Sequence, residues 1–223
     1  MNRIRVKICG IKDLLFALKA VECGADAIGF VFYEKSPRFI EVDKAGDIIK
    51  NLPAFVNKVG VFVNHNISEI LRIVEKTGID TIQLHGEYDI NFLKNLKSYI
   101  NLPIIYAIRI EAISDFKIED DVIKELTDNA SNILIDKLDK KEYGGTGKSI
   151  FFDEGLNENS KDFISKKVIL AGGINKENIS HILGFIKPYG IDVSSGVEIK
   201  KGEKDKKLLE EFFEVFYRYS ILR

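Results

Sequence analysis

Residues 167–198 read KVILAGGINKENISHILGFIKPYGIDVSSGVE. Two β-branched apolar runs, Lys167–Ala171 and Gly190–Val193, bracket a helical pattern over Lys176–Gly184. The first run ends in Gly172-Gly173 and the second in Ser194-Ser195-Gly196. Apolar runs of this kind are buried on both faces, as in a parallel sheet covered by its connecting helices. The stretch is therefore one strand–helix–strand unit with a small-residue turn after each strand. How often that unit recurs decides the fold.

Six more strand patterns precede it: Arg5–Cys9, Ala27–Phe32, Lys58–Val63, Thr81–Leu84, Ile104–Ile108 and Asn132–Asp136. Helical spacing separates them over Lys12–Cys23, Ala45–Leu52, Ser68–Lys76 and Ile90–Tyr99, with Gly24 and Gly78 as stops. Weaker helical patterns cover Asp121–Thr127 and part of 150–164. A closing helix puts Leu208, Leu209, Phe212, Phe213, Phe216 and Tyr219 on one side. Eight such units in 223 residues fit a single (β/α)8 barrel spanning 1–223. A doubly wound open sheet is the alternative, and the repeat count weighs against it. No linker or composition break marks a second domain.

The chain is 45% hydrophobic and 30% charged, enough for a substantial core, and its net charge of −1 argues against nucleic-acid and membrane binding. No secretory h-region follows Met1-Asn2-Arg3, and no uncharged run is long enough to span a bilayer. Two cysteines make no disulfide framework, so the expected compartment is the cytoplasm. His65, His85 and His181 stand far apart, none at a zinc-site spacing from a cysteine, and no metal or cofactor is expected.

A barrel places its chemistry at the C-terminal ends of its strands. Those ends carry Cys9, Ser36-Pro37-Arg38, Asn64, His85, Arg109, Asp136, Gly172-Gly173 and Ser194-Ser195-Gly196. Loops after strands seven and eight commonly hold a phosphate, so Gly172, Gly173, Ser194, Ser195 and Gly196 are its expected ligands. Residues 141–152, KEYGGTGKSIFF, partly match the nucleotide loop G-x-x-x-x-G-K-[ST]. Its first glycine would fall on Glu142, whose carboxylate opposes a triphosphate. The loop is instead read as a wall of the same phosphate pocket, with Gly145 and Gly147 nearest the anion.

Cys9 is a candidate base once its thiol pKa falls below its ordinary value of about 8.5. Lys7 is assigned the opposite strand parity and is not expected to touch it. Cys23, at a helix end, is read as structural. Asp136 closes an apolar strand, where partial desolvation suits a general acid. Asp192, also in a strand, competes for an acid or orienting role. Arg38 offers a bidentate fork for a substrate carboxylate, and Arg109 and His85 are expected to line the pocket.

Together, Lys7-Ile8-Cys9-Gly10, Ser36-Pro37-Arg38, Val59–Asn64, Gln83-Leu84-His85-Gly86, Gly144–Gly147, Leu170–Gly173 and Asp192–Glu198 resemble the phosphoribosylanthranilate isomerase family. The resemblance runs in the family's order and implies a step of tryptophan biosynthesis. The reaction would be an Amadori rearrangement of a phosphoribosylamine to a ketose phosphate. It implies that Asp136 protonates the furanose oxygen, that Cys9 removes the C2 proton, and that Arg38 meets the anthranilate carboxylate. The substrate would be a small phosphosugar, turned over without cofactor by a monomer or homodimer. The chain departs from the family at Lys12, where threonine or serine is common, and at Lys201-Gly202, which keeps only the glycine of the usual proline–glycine pair; both bear on the shape of two rim loops. Other phosphosugar barrels fit less well. The histidine-pathway isomerase calls for aspartate where Cys9 stands.

Overall fold

The computed structural model describes residues 3–110, 120–137 and 158–220. Eight parallel strands follow one another around a closed barrel. They are β1 (Arg5–Cys9), β2 (Ala27–Val31), β3 (Asn57–Phe62), β4 (Thr81–Leu84), β5 (Ile104–Ile110), β6 (Asn132–Lys137), β7 (Val168–Leu170) and β8 (Gly190–Val193). The helices are α1 (Leu14–Cys23), α2 (Val42–Lys50), α3 (Ile67–Thr77), α4 (Ile90–Tyr99), α5 (Asp121–Asn129), α6 (Glu158–Lys167), α7 (Ile179–Phe185) and α8 (Lys206–Ser220). The barrel closes where β1 pairs with β8, Lys7 opposite Asp192 and Ile8 opposite Val193. Closure in chain order removes the open doubly wound alternative, whose strand order reverses at a switch point.

Strand alternation sorts the apolar residues into two layers. Ile8, Ile28, Phe30, Phe62, Ile82, Ile133, Leu170 and Ile191 face outward into the core beneath the helices. Each such side chain, fully buried, contributes about 1.5–3 kcal/mol. The opposite parity faces the barrel axis, where space is short. Val59, Ile105, Ala107, Leu134, Ile169 and Ala171 fill it. Cys9, Val31 and Val61 form a smaller cluster nearer the C-terminal mouth.

Local chemistry sets the helix ends. Asp13 caps α1 by accepting from the Phe16 N–H at 2.8 Å. Asn66 and Glu69 form a reciprocal capping box on α3. The helix expected from Lys176 starts only at Ile179. Asn175 Oδ1 accepts from the N–H groups of Glu177 and Asn178, each at 3.0 Å, and holds that stretch as a turn. α2 likewise begins at Val42 rather than Ala45. After β8 comes a short 3-10 turn, Ser195–Val197, and then an antiparallel pair, β9 (Glu198–Lys200) and β10 (Glu203–Lys204). The sequence reading misses this pair; its signal is the two-residue Lys201-Gly202 turn.

Candidate active site

A cavity of about 460 Å³ opens at the C-terminal mouth. Cys9, Arg38, His85, Arg109, Asp136, Gly172, Gly173, Asp192, Ser194 and Ser195 all line it. Residues from seven parts of the chain thus converge because parallel strands send all their following loops to one end. Gly145 and Gly147 lie outside the described residues.

Cys9 is buried at the end of β1. Gly10 follows at φ +82°, and a Cβ there would meet Arg38 Cδ at 2.6 Å. The glycine thus lets Arg38 pack across the turn after the thiol. The parity assigned to Lys7 is wrong. Residues two apart on a strand share a face, and Lys7 points inward beside Cys9 to bond Asp192 Oδ2 at 2.9 Å.

Arg38 donates from Nε at 2.8 Å and from Nη2 at 2.7 Å to the two oxygens of Glu198. That fork uses two of the five guanidinium N–H groups and leaves three. Lys204 Nζ closes the cluster, donating to Glu198 Oε1 and to the Ser194 carbonyl, both at 2.9 Å. Burial acts to raise the Glu198 pKa, but the bonds from Arg38 and Lys204 outweigh it and hold the group below the usual carboxylate range. Burial pushes the Lys204 ammonium the other way, below the usual lysine range, against the pull of Glu198. Glu198 and Lys204 carry no local signal of this role in the sequence, since Arg38, which completes the cluster, lies 160 residues from Glu198.

The loops after β7 and β8 press together. A Cβ on Gly196 would fall on the Ile174 carbonyl oxygen, with Asn175 Cα 2.8 Å away. Ser194 donates its one hydroxyl proton to the Cys9 carbonyl at 3.1 Å. Its hydroxyl therefore ties the β8 loop to β1, and Ser195 lines the cavity beside it. Lys12 Nζ donates to the Pro37 carbonyl at 3.1 Å, and a Cβ on Gly202 would collide with that same carbonyl. Lys12 and the turn at Gly202 therefore meet at the Pro37 carbonyl.

Asp136, Arg109 and His85 come from three adjacent strands. His85 Nε2 lies 3.4 Å from Asp136 Oδ2 and 3.2 Å from Arg109 Nη2. Asn64, the one non-glycine residue at positive φ among those described, steadies this corner. Its side chain accepts from the Glu87 N–H at 2.8 Å. Burial, aided by Arg109, pushes the His85 pKa down to about 4, so the imidazole is neutral and its contact with Asp136 is not an ion pair. Arginine can only donate, so Nε2 satisfies Arg109 as an acceptor. That bond takes the one lone pair of Nε2, and the Asp136 carboxyl packs beside the ring at the end of β6.

Gln83 is a polar residue the sequence reading left without a role. It sits on the inner face of β4, 2% exposed, and its Oε1 has no hydrogen-bond partner among the described residues. Its signal was a glutamine of inward parity inside an apolar strand. Among the described residues no cluster of side chains could hold a metal ion, and no helix is long and apolar enough to cross a membrane.

A thiol, a carboxyl, two arginines and paired glycine–serine loops at the C-terminal mouth define a (β/α)8-barrel enzyme of the acid–base type. A family model described as N-(5'phosphoribosyl)anthranilate (PRA) isomerase matches residues 6–215. The N-(5'-phosphoribosyl)anthranilate isomerase of Thermotoga neapolitana is 40% identical over 209 residues, covering 94% of this chain and 96% of the relative. The phosphoribosyl anthranilate isomerase of Thermotoga maritima superposes with a TM-score of 0.80 at 36% identity, covering 96% of this chain and 99% of that one. A phosphoribosyl anthranilate isomerase solved with reduced 1-(o-carboxyphenylamino)-1-deoxyribulose 5-phosphate gives 0.76 at 33% identity, covering 96% and 99%. The chain belongs to the N-(5'-phosphoribosyl)anthranilate isomerase family.

Proposed function

We propose that this chain, acting as one barrel domain, isomerises N-(5-phosphoribosyl)anthranilate to 1-(2-carboxyphenylamino)-1-deoxyribulose 5-phosphate in tryptophan biosynthesis. The observation that carries the reading is that Cys9 and Asp136 share one cavity, on strands separated by β7 and β8. An aldose-to-ketose shift needs one acid and one base at different atoms of the same sugar.

Asp136 gives its proton to the furanose ring oxygen. The C1–O bond breaks, and the anilino nitrogen supplies the electron pair that forms the iminium. Cys9, as thiolate, takes the C2 proton, and the C–H electrons flow into C1–C2 to leave an enolamine. Tautomerisation to the ketone completes the rearrangement. Arg38, already fixed by Glu198, meets the anthranilate carboxylate with its remaining N–H groups. Backbone N–H groups of the Gly172-Gly173 and Ser194–Gly196 loops, with the Ser195 hydroxyl, hold the phosphate. Arg109 and His85 keep Asp136 in place. Both cysteines are free thiols, which suits a cytoplasmic enzyme. It works without cofactor, as a monomer or homodimer, with no nucleic-acid or membrane partner.

The test generates the substrate in situ and follows loss of its anthranilate fluorescence for wild type, Cys9→Ser and Asp136→Asn. Turnover by wild type and collapse in both variants is the expected result. A folded wild type with no turnover would sink the assignment.

A further inference from the structure

A lysine and an aspartate are buried inside the barrel next to the thiol. Lys7 Nζ and Asp192 Oδ2 lie 2.9 Å apart, with side chains only 5% and 8% exposed. Gly29 is the register partner of Cys9 across β1 and β2. A Cβ on Gly29 would meet Cys9 Sγ at 2.9 Å and Lys7 Nζ at 3.1 Å. Ammonium and thiol therefore reach the same point, and the glycine leaves room for both. An ion pair held this far from water is costly to desolvate, and an apolar pair of similar volume would often fold as well or better. Besides its bond to Asp192, the Lys7 ammonium faces the thiol. Asp192 Oδ1, also in the cavity, has no hydrogen-bond partner among the described residues.

We propose that Lys7 is the positioning residue of the base: its ammonium, anchored by Asp192, stabilises the Cys9 thiolate that accepts the C2 proton. This rests on the reading of Cys9 as the base. As the C2–H bond breaks, an S–H bond forms and the thiolate charge disappears, cancelling the iminium charge of the substrate. A cation beside sulfur limits how far burial raises the thiol, and so sets the thiolate fraction open to that step. The charged groups around Cys9 are Lys7 on its own strand, Asp192 on β8, Lys204 on β10 and Arg38 after β2. Against the lowering expected from sequence, burial wins at Cys9 and holds the thiol above its ordinary range; Lys7 is the strongest influence pulling it back, with Lys204 helping and Asp192 opposing. Burial also acts to discharge Lys7, but Asp192 and then Cys9 outweigh it and hold its pKa above the usual lysine range. Lys7 is thus a cation wherever the enzyme works.

The experiment reads the thiolate directly and needs no turnover. In a Cys23→Ser background, ultraviolet thiolate absorbance is titrated for wild-type Lys7, Lys7→Met and Lys7→Arg, subtracting the matching Cys9→Ser protein. The Cys9 midpoint should rise by about 1–3 pH units in Lys7→Met, and Lys7→Arg should stay near wild type. The acid limb of kcat/KM should move by the same amount. If Lys7→Met fails to fold, Lys7→Met/Asp192→Asn removes both charges at once and should still raise the midpoint. An unshifted midpoint in a folded variant overturns the inference alone. A shifted midpoint with an unmoved acid limb overturns Cys9 as the base, and with it the part of Lys7 in the reaction.

Discussion

The two mouths of the barrel enclose similar space, about 460 Å³ at the C-terminal end and about 410 Å³ at the N-terminal end, and are lined to opposite effect. At the N-terminal mouth polar groups bond one another. Asn57 Nδ2 donates to Thr81 Oγ1 at 3.2 Å, and Asp26 accepts from the Val6 N–H at 2.9 Å while pairing with Arg3. Asn132 Nδ2 donates to the Lys167 carbonyl at 3.2 Å, and the Arg5 guanidinium lies 4.2 Å over the Tyr189 ring. At the C-terminal mouth, Gln83 Oε1 and Asp192 Oδ1 are buried with no bond among the described residues. Each unmet acceptor costs about 1–3 kcal/mol. The same barrel thus closes its polar groups at one end, and at the other leaves two buried acceptors without a bond among the described residues.

The sharpest break of that contrast is at the chemical end. Cys9→Ser and Asp136→Asn should each lower kcat by about 10²–10⁴-fold in a protein with unchanged circular dichroism. Wild-type turnover in either would remove that residue from the reaction.

Arg38→Met comes next, because it leaves Glu198 with only Lys204 as counter-charge. It should cost about 3 kcal/mol in urea unfolding and raise KM. Arg38→Lys should recover part of both, having the charge but not the fork. An unchanged KM in Arg38→Met would free Arg38 from the substrate.

A smaller effect concerns pH. His85 is held neutral down to about 4, against 6.5 in the unfolded chain. Between those values the unfolded state takes up a proton that the folded state refuses, so stability falls as pH drops through the window. Urea midpoints at mildly acidic and neutral pH should show this loss, and His85→Gln should flatten it. The least effect belongs to the N-terminal mouth. Thr81→Val removes the nearer of the two acceptors of Asn57 Nδ2 and should cost about 1 kcal/mol with kcat/KM unchanged. A fall in kcat/KM there would mean that the two mouths are coupled.

By itself the sequence determined the eight strand–helix units, the turns after β7 and β8, and the strand-end positions of Cys9 and Asp136. Periodicity and turn chemistry are local, so they are legible over a few residues. The inward face of Lys7 is legible too, since residues two apart on a strand share a side. What Lys7 touches is not. Its partner Asp192 is 185 residues away, and Arg38 is 160 residues from Glu198. The neutral state of His85 depends in the same way on burial against Arg109, a residue of the next strand. No local pattern announces such pairs. They form only when the last strand closes against the first, because closure fixes which inward side chains share the dry space at the axis, and burial there decides which of them carry charge.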